Sequence, residues 1–246
     1  MGRIEALAAR IEEAKGLRAQ AMGEVELAPL ATARQILGWL PQKQTTLGQW
    51  LTSRRQGIQT GPFGAQLGSE DFVDSGVPVI TIGNVQYSGL ERGALKYVTL
   101  QKARYLSRYD VQEGDILFAR MGTVGRCCVV PEWASGWLYN YHLIRVVLDK
   151  EALLPQFAHW SIRASTDVEE FLGITIRGAT RQGVNQDIVS NLPIRVPPLD
   201  EQRHIVAYLD DLQAKVEAVK RLQAETQAEL AALLPAVLAR AFRGEL

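Results

Sequence analysis

Three stretches of this chain combine arginine with glycine, threonine and side-chain amides and carry no acidic residue: RRQGIQTGPFGAQLGS from Arg54, ILFARMGTVGRCCVVP from Ile116 and FLGITIRGATRQGVNQ from Phe171. Arginine can donate two hydrogen bonds to O6 and N7 of guanine, and glutamine or asparagine can do the same at N6 and N7 of adenine. Arg177, Thr180, Arg181, Gln182, Asn185 and Gln186 supply that set within ten residues. Glycines such as Gly61, Gly64, Gly178 and Gly183 would let backbone N–H groups approach phosphates. The expected contact residues are Arg55, Gln59, Thr60, Arg120, Thr123, Arg126, Arg177, Thr180, Arg181, Gln182 and Asn185.

Catalytic patterns are missing from the sequence. It contains no phosphate loop ending in Lys-Ser or Lys-Thr, no G-x-G-x-x-G, no H-E-x-x-H and no G-x-S-x-G. His142, His159 and His204 are scattered, and packing or surface roles are expected for them. Asp110, Glu113 and Asp115 precede the run DILFA as turn residues would. Asn191, Leu192, Pro193 and Ile194 only superficially echo the asparagine-proline-proline-aromatic motif with which amino-methyltransferases hold a base. The rival enzymatic reading is a nuclease with Asp110, Asp115 and Glu132 around a metal. Cys127 and Cys128 are adjacent in the apolar run RCCVVP. They offer neither a disulfide framework nor four metal ligands, and are expected in a buried strand.

The elements that must position these residues fall into three parts: a helical arm over 1–41, a β-rich domain over 42–198 and a second helical arm over 199–246. Ile4, Leu7, Ile11 and Ala14 follow coiled-coil spacing, as do Leu209, Leu212, Val216 and Val219. A shift of 205 positions aligns the arms, with identities that include Leu7/Leu212, Glu12/Glu217, Lys15/Lys220 and Leu17/Leu222. Pro29 and Pro235 nearly coincide, so a kink or break is expected at each. Matched arms around an insert suggest a rigid spacer; two unrelated helices of similar composition would look alike. Between them VPVITI, LKYVTL, DILFA, RCCVVP, HLIRVVL and LPIRVP read as strands, and LPQFAHWSIRASTDVEEFLG reads as one helix. The expected fold class is mixed α+β.

Lys+Arg and Asp+Glu balance at 27 each, so net charge gives no hint of nucleic acid. No run approaches the roughly 18 apolar residues of a spanning helix, and MGRIEALAARIEEAKG is too charged for a signal peptide, which places the chain in the cytoplasm.

Four stretches in order, GPFGAQLGSEDFVDSGVPVITIGNV, GDILFARMGTVGRCCVVPE, TRQGVNQDIVSNLPIRVPPLDEQRHIV and LLPAVLARAFRGEL, resemble the successive hallmarks of type I restriction-modification specificity subunits. The opening helix is similar to that family's central conserved helix. The resemblance implies one target recognition domain that reads half of a split sequence in double-stranded DNA. It also implies long helices that set the gap and dock methyltransferase (modification) subunits, with a restriction (motor-nuclease) subunit joining the assembly. Catalysis would belong to those partners: adenine-N6 methylation from S-adenosylmethionine, and ATP-dependent cleavage. No cofactor is expected on this chain. Family members usually carry two recognition domains and this chain has one, so it is either a half-length subunit or a piece of a longer one. A homodimer would prefer a palindromic split target. A non-enzymatic scaffold is the remaining alternative. Within GPFG, Phe63 either packs a tight turn or takes part in a loop held against DNA.

Overall fold

The structure is a computed structural model that describes residues 2–40, 43–121, 125–177 and 183–243. In chain order the elements are α1 (Gly2–Trp39), β1 (Thr45–Thr46), β2 (Ile58–Thr60), β3 (Phe72–Val73), β4 (Val77–Ile80), β5 (Val85–Gln86), β6 (Gly89–Leu90), β7 (Lys96–Val98), α2 (Leu100–Tyr105), β8 (Ile116–Ala119), β9 (Cys127–Val129), β10 (Leu138–Tyr139), β11 (Leu143–Val146), α3 (Pro155–Ala164), α4 (Thr166–Arg177), α5 (Gln186–Ser190), β12 (Pro193–Ile194) and α6 (Leu199–Phe242). The class is mixed α+β, with a long helix at either end of a β-rich domain.

The chain divides into a globular unit, residues 33–206, and a helical unit, residues 1–32 with 207–246. The globular unit thus takes in the last turns of α1 and the first turns of α6, beyond the 42–198 read from composition.

Two four-stranded sheets form the body of the globular unit. One is antiparallel, in the order β2-β11-β8-β9; the other runs β10-β4-β7-β3 and is parallel only between β10 and β4. Every residue of β8 and β11 is buried, as expected of central strands covered on both faces. Leu117, Ala119, Cys128 and Leu143 of the antiparallel sheet share a core with Val79, Ile80 and Val98 of the other sheet and with Leu138 and Tyr139. The helix α3 packs against β9 and β12. Cys127 and Cys128 are both completely buried in β9, and burial pushes the Cys128 thiol up to about 12.

The domain is closed where it meets its helices. β1 pairs antiparallel with β12, and the Leu47 N–H donates to the Leu192 carbonyl at 2.9 Å. Gln202, in the first turns of α6, is completely buried; its Oε1 accepts from the Leu154 N–H at 2.9 Å, and its amide donates to the carbonyls of Ala152 and Pro197. Both ends of this side-chain amide are thus spent on loop backbone, which anchors the start of that helix.

Two local expectations are corrected. The run from Leu154 is two helices, because Ser165 adopts an extended conformation (ψ 128°) between α3 and α4. α3 still buries Phe157, Trp160 and Ile162. Pro29 and Pro235 lie inside continuous helices and break neither. Each costs its helix one backbone hydrogen bond, and the long flanking segments keep the rest.

In the helical unit α1 and α6 meet antiparallel. Arg18 donates to Gln223 at 2.9 Å and to the hydroxyl of Thr226, and Lys220 lies 3.3 Å from Glu26. Leu209 and Val216 are buried and Leu212 and Ile11 partly covered, whereas Val219 is 38% exposed. The side chains of Ile4 and Leu7 lie outside the described residues.

Candidate nucleic-acid interface

Strand register gives the antiparallel sheet two distinct ends. Thr60 lies opposite Ile144, Leu143 opposite Ala119 and Phe118 opposite Cys127, so the residues next to these form one end. Ile58, Val146, Ile116 and Val129 mark the other.

At the first end four loops meet on Arg120. Its backbone N–H donates to the His142 carbonyl and its own carbonyl accepts from Val184 N–H, at 2.9 and 2.8 Å. Its Nη1 donates to the Tyr141 carbonyl at 2.9 Å, and the guanidinium lies 5.8 Å from the Phe63 ring. Phe63 stacks on Tyr141 with centroids 6.1 Å apart, and the Tyr141 ring lies 3.9 Å from that of His142. Phe63 is 56% exposed and Tyr141 38%, so the pair is an aromatic surface rather than a core contact. Burial, then Arg120, lowers the His142 imidazole from its usual range.

The GPFG turn is held by backbone. A Cβ on Gly61 would stand 2.2 Å from the Asn140 carbonyl oxygen, so only glycine lets the two chains pass this closely. The Gly61 N–H donates to Leu143 and is spent inside the fold, contrary to the expectation that it faces a phosphate. At Gly64 a Cβ would meet only open space. Thus the glycine and buried proline fix the turn, and Phe63 projects outward.

The expected contact residues divide by position. Arg120 and Arg126 lie at this end, Arg126 immediately before β9. Thr60 is here too, its hydroxyl accepting from Gln186 Nε2 at 2.9 Å, so that α5 is tied to β2. Asn185 is exposed but caps α5, its Oδ1 accepting from the Ile188 N–H at 2.8 Å, which leaves its amide nitrogen for a ligand. Thr123, Thr180, Arg181 and Gln182 lie outside the described residues, as does the side chain of Arg177.

Gln59 and Arg55 depart from the expectation. Gln59 is buried at 6% exposure, its Oε1 accepting from Arg145 at 2.9 Å, because strand alternation turns it into the core. Arg55 lies at the opposite end of the sheet, where it donates to Asp110 at 2.7 Å and Asp115 at 3.1 Å. Arg145, only 1% exposed, joins them through the Arg108 and Asp110 carbonyls. Burial raises the Asp115 carboxyl from its usual range, opposed by the Gln112 N–H and by Arg55. Asp110 and Asp115 are thus taken up by arginines and a turn amide. Among the described residues no group of three potential ligands could hold a metal, so the three-carboxylate nuclease site finds no support there.

Sequence reasoning passes over Tyr141, whose ring is placed against Phe63 only by the pairing of β11 with β2 and β8. It also passes over Arg145, an arginine inside an apolar strand run, which is itself a signal of a buried ion pair.

Fold and surface together define a class: a β-rich α+β domain carried between two long helices, with arginine and aromatic loops gathered at one end of a sheet. The sequence model of the type I restriction modification DNA specificity domain matches residues 65–228. This chain belongs to that family. It is 24% identical over 201 residues to the EcoKI specificity subunit of Escherichia coli K12, covering 80% of this chain and 41% of that protein. Identity to the EcoBI specificity subunit of Escherichia coli is 23% over 180 residues, which cover 72% of this chain and 37% of that protein. This chain therefore spans less than half the length of these relatives. Its whole length superposes on 57% of the HsdS subunit of Thermoanaerobacter tengcongensis, with a TM-score of 0.63 and 25% identity. A chain from a study of complex assembly and conformational transition of the type I R-M system gives 0.75, again at 25% identity and over 58% of that chain.

Proposed function

We infer that this protein is a DNA-recognition subunit of a type I restriction-modification assembly. The globular unit reads one half of a split target. The helical unit sets the gap and docks methyltransferase subunits, and two copies related by a two-fold axis read a palindromic split site. The carrying observation is the convergence of Arg120, Arg126, the Phe63–Tyr141 stack and the Thr60–Gln186 pair at one end of the sheet, in a chain that belongs to a DNA-specificity family.

Phosphate contacts position such a module and base-edge contacts specify the sequence. Arg120 suits the second role, since two backbone carbonyls orient its guanidinium beside an exposed ring. The aromatic pair offers a flat apolar face to a base step or a thymine methyl. Methyl transfer to adenine and ATP-dependent cleavage fall to the modification and restriction subunits, in the cytoplasm, and this chain carries no cofactor of its own. Leu17, Leu27 and Leu222, each more than 60% exposed, give the arms apolar surface for a second copy or for a modification subunit.

The test is a methylome. The chain is expressed with a cognate modification subunit, and methylated adenines are mapped by single-molecule sequencing against a control lacking it. A palindromic split motif that depends on the chain is the expected result. An asymmetric motif would overturn the self-paired form and assign the second recognition domain to another chain. No new methylation from an assembled complex would favour the scaffold or an inactive fragment.

A further inference from the structure

Arg163 lies in the last turn of α3, Arg126 precedes β9 and Tyr87 sits in the β5–β6 turn, which packs on β9 as α3 does. The three converge beside the arginine-rich end of the antiparallel sheet. The Arg163 guanidinium lies 5.0 Å from the Trp160 ring and 5.7 Å from the Tyr87 ring. Arg126 and Arg163 both act electrostatically on the Tyr87 hydroxyl, with Arg163 placed directly against the Tyr87 ring.

The Nε of Arg126 and the Nε of Arg163 are buried and have no hydrogen-bond partner among the described residues. None of the ion pairs among the described residues includes Arg126 or Arg163. The titratable groups acting on Arg163 are Cys127 and Tyr87, both neutral at neutral pH, and burial pushes the guanidinium below its ordinary range. Arg145 and Arg195 also bury an unpartnered Nε, but each has a carboxylate within 4 Å. A desolvated guanidinium without a counter-charge is costly, and aromatic faces offset only part of that cost. Tyr87, 40% exposed, adds a hydroxyl donor beside Arg163.

We propose that Arg126, Arg163 and Tyr87 form a seat for one phosphodiester group of the DNA backbone, beside the base-reading surface centred on Arg120. This rests on the DNA-recognition reading above. The anion that the protein leaves out is supplied by the ligand, which couples the docking of α3 and the β5–β6 turn to DNA binding.

The test uses the full chain, in complex with its modification subunits, and a mixed-sequence duplex followed by anisotropy across a series of KCl concentrations. Removing one phosphate from the interface flattens the slope of log K against log salt by about 0.9. Arg126→Gln and Arg163→Gln are expected to flatten the slope by that amount together, since they share one phosphate, and Arg163→Lys is expected to restore most of it. Retention of the wild-type slope in both glutamine variants would overturn the proposal while leaving DNA recognition intact. Failure of the wild-type complex to bind duplex would overturn the recognition reading, and this one with it. Two controls without DNA complete the test. Arg163→Met is expected to melt no lower than wild type, whereas a lower melting point with an unchanged salt slope would make Arg163 a structural residue. Stabilisation by inorganic phosphate at matched ionic strength, abolished in Arg163→Met, together with an unaltered DNA slope, would reassign the seat to a free anion.

Discussion

The two ends of the antiparallel sheet treat arginine in opposite ways. At one end Arg55 and Arg145 meet Asp110 and Asp115, with a turn amide and Gln59 completing the set. At the other, Arg120 is held by backbone carbonyls, and Arg126 and Arg163 each bury an Nε that no acceptor among the described residues meets. Net charge over the whole chain is zero, so the imbalance is local and composition conceals it. Compensated arginines hold the fold together, and uncompensated ones leave a positive surface for a ligand.

Substitutions can break this contrast, and the largest effect is expected at the compensated end. Arg145→Met strands Gln59 and removes a buried cation from Asp110 and Asp115, so unfolding in urea should show a loss of ~3 kcal/mol. If Arg145→Met unfolds like wild type, the network is ornamental and the contrast fails. Next comes Gly61→Ala, whose methyl would collide with the Asn140 carbonyl. We expect a loss of about 2 kcal/mol in the same assay, with the displaced turn weakening DNA binding as well.

A smaller effect belongs to acid. His159 Nε2 lies 3.1 Å from the Cys127 carbonyl, and burial, aided by Arg163, lowers its imidazole to about 4. A base whose folded value is depressed favours the folded state above the unfolded value, near 6.5, and loses that advantage as pH falls toward 4. Thermal melts should therefore show a decline of roughly 2 kcal/mol across that window, reduced because the ring is not wholly sealed from water. In His159→Gln the decline should shrink. Smallest in stability is Arg120→Ala, expected to cost about 1 kcal/mol because its side chain holds two backbone carbonyls but has no carboxylate partner among the described residues. Its effect should fall on DNA instead. If it reads a base, binding weakens by roughly 1–3 kcal/mol at one target position; if it contacts a phosphate, all sequences weaken alike.

Much of the fold is legible in the sequence because apolar period and glycine position are local signals. The six expected strand runs contain β4, β7, β8, β9, β11 and β12, and both long helices appear where the heptad spacing puts them. The strand β2 escapes such a reading: Ile58–Thr60 is too short to show a period, and becomes a strand only by pairing with β11. The break at Ser165 escapes it because serine is compatible with helix, and the packing of α3 and α4 overrides that weak preference. Pro29 and Pro235 err in the other direction, since length and neighbours can carry a helix through one missing bond.

The surface is legible in part, and for a definite reason. Arginine without nearby acid marks Arg120 and Arg126, but the same rule applied along the chain also marks Arg55, whose acids lie 55 and 60 residues away.

Sequence alone determined the class of elements, the duplicated arm pattern and the loops rich in arginine and glycine, because periodicity and backbone freedom belong to neighbouring residues. Tertiary structure alone decided which arginines find a carboxylate, that Gln59 turns inward and Phe63 outward, and that Arg163 joins Arg126 beside Tyr87. Charge compensation acts over a few ångströms of space, and strand register, not distance along the chain, sets who stands within that reach.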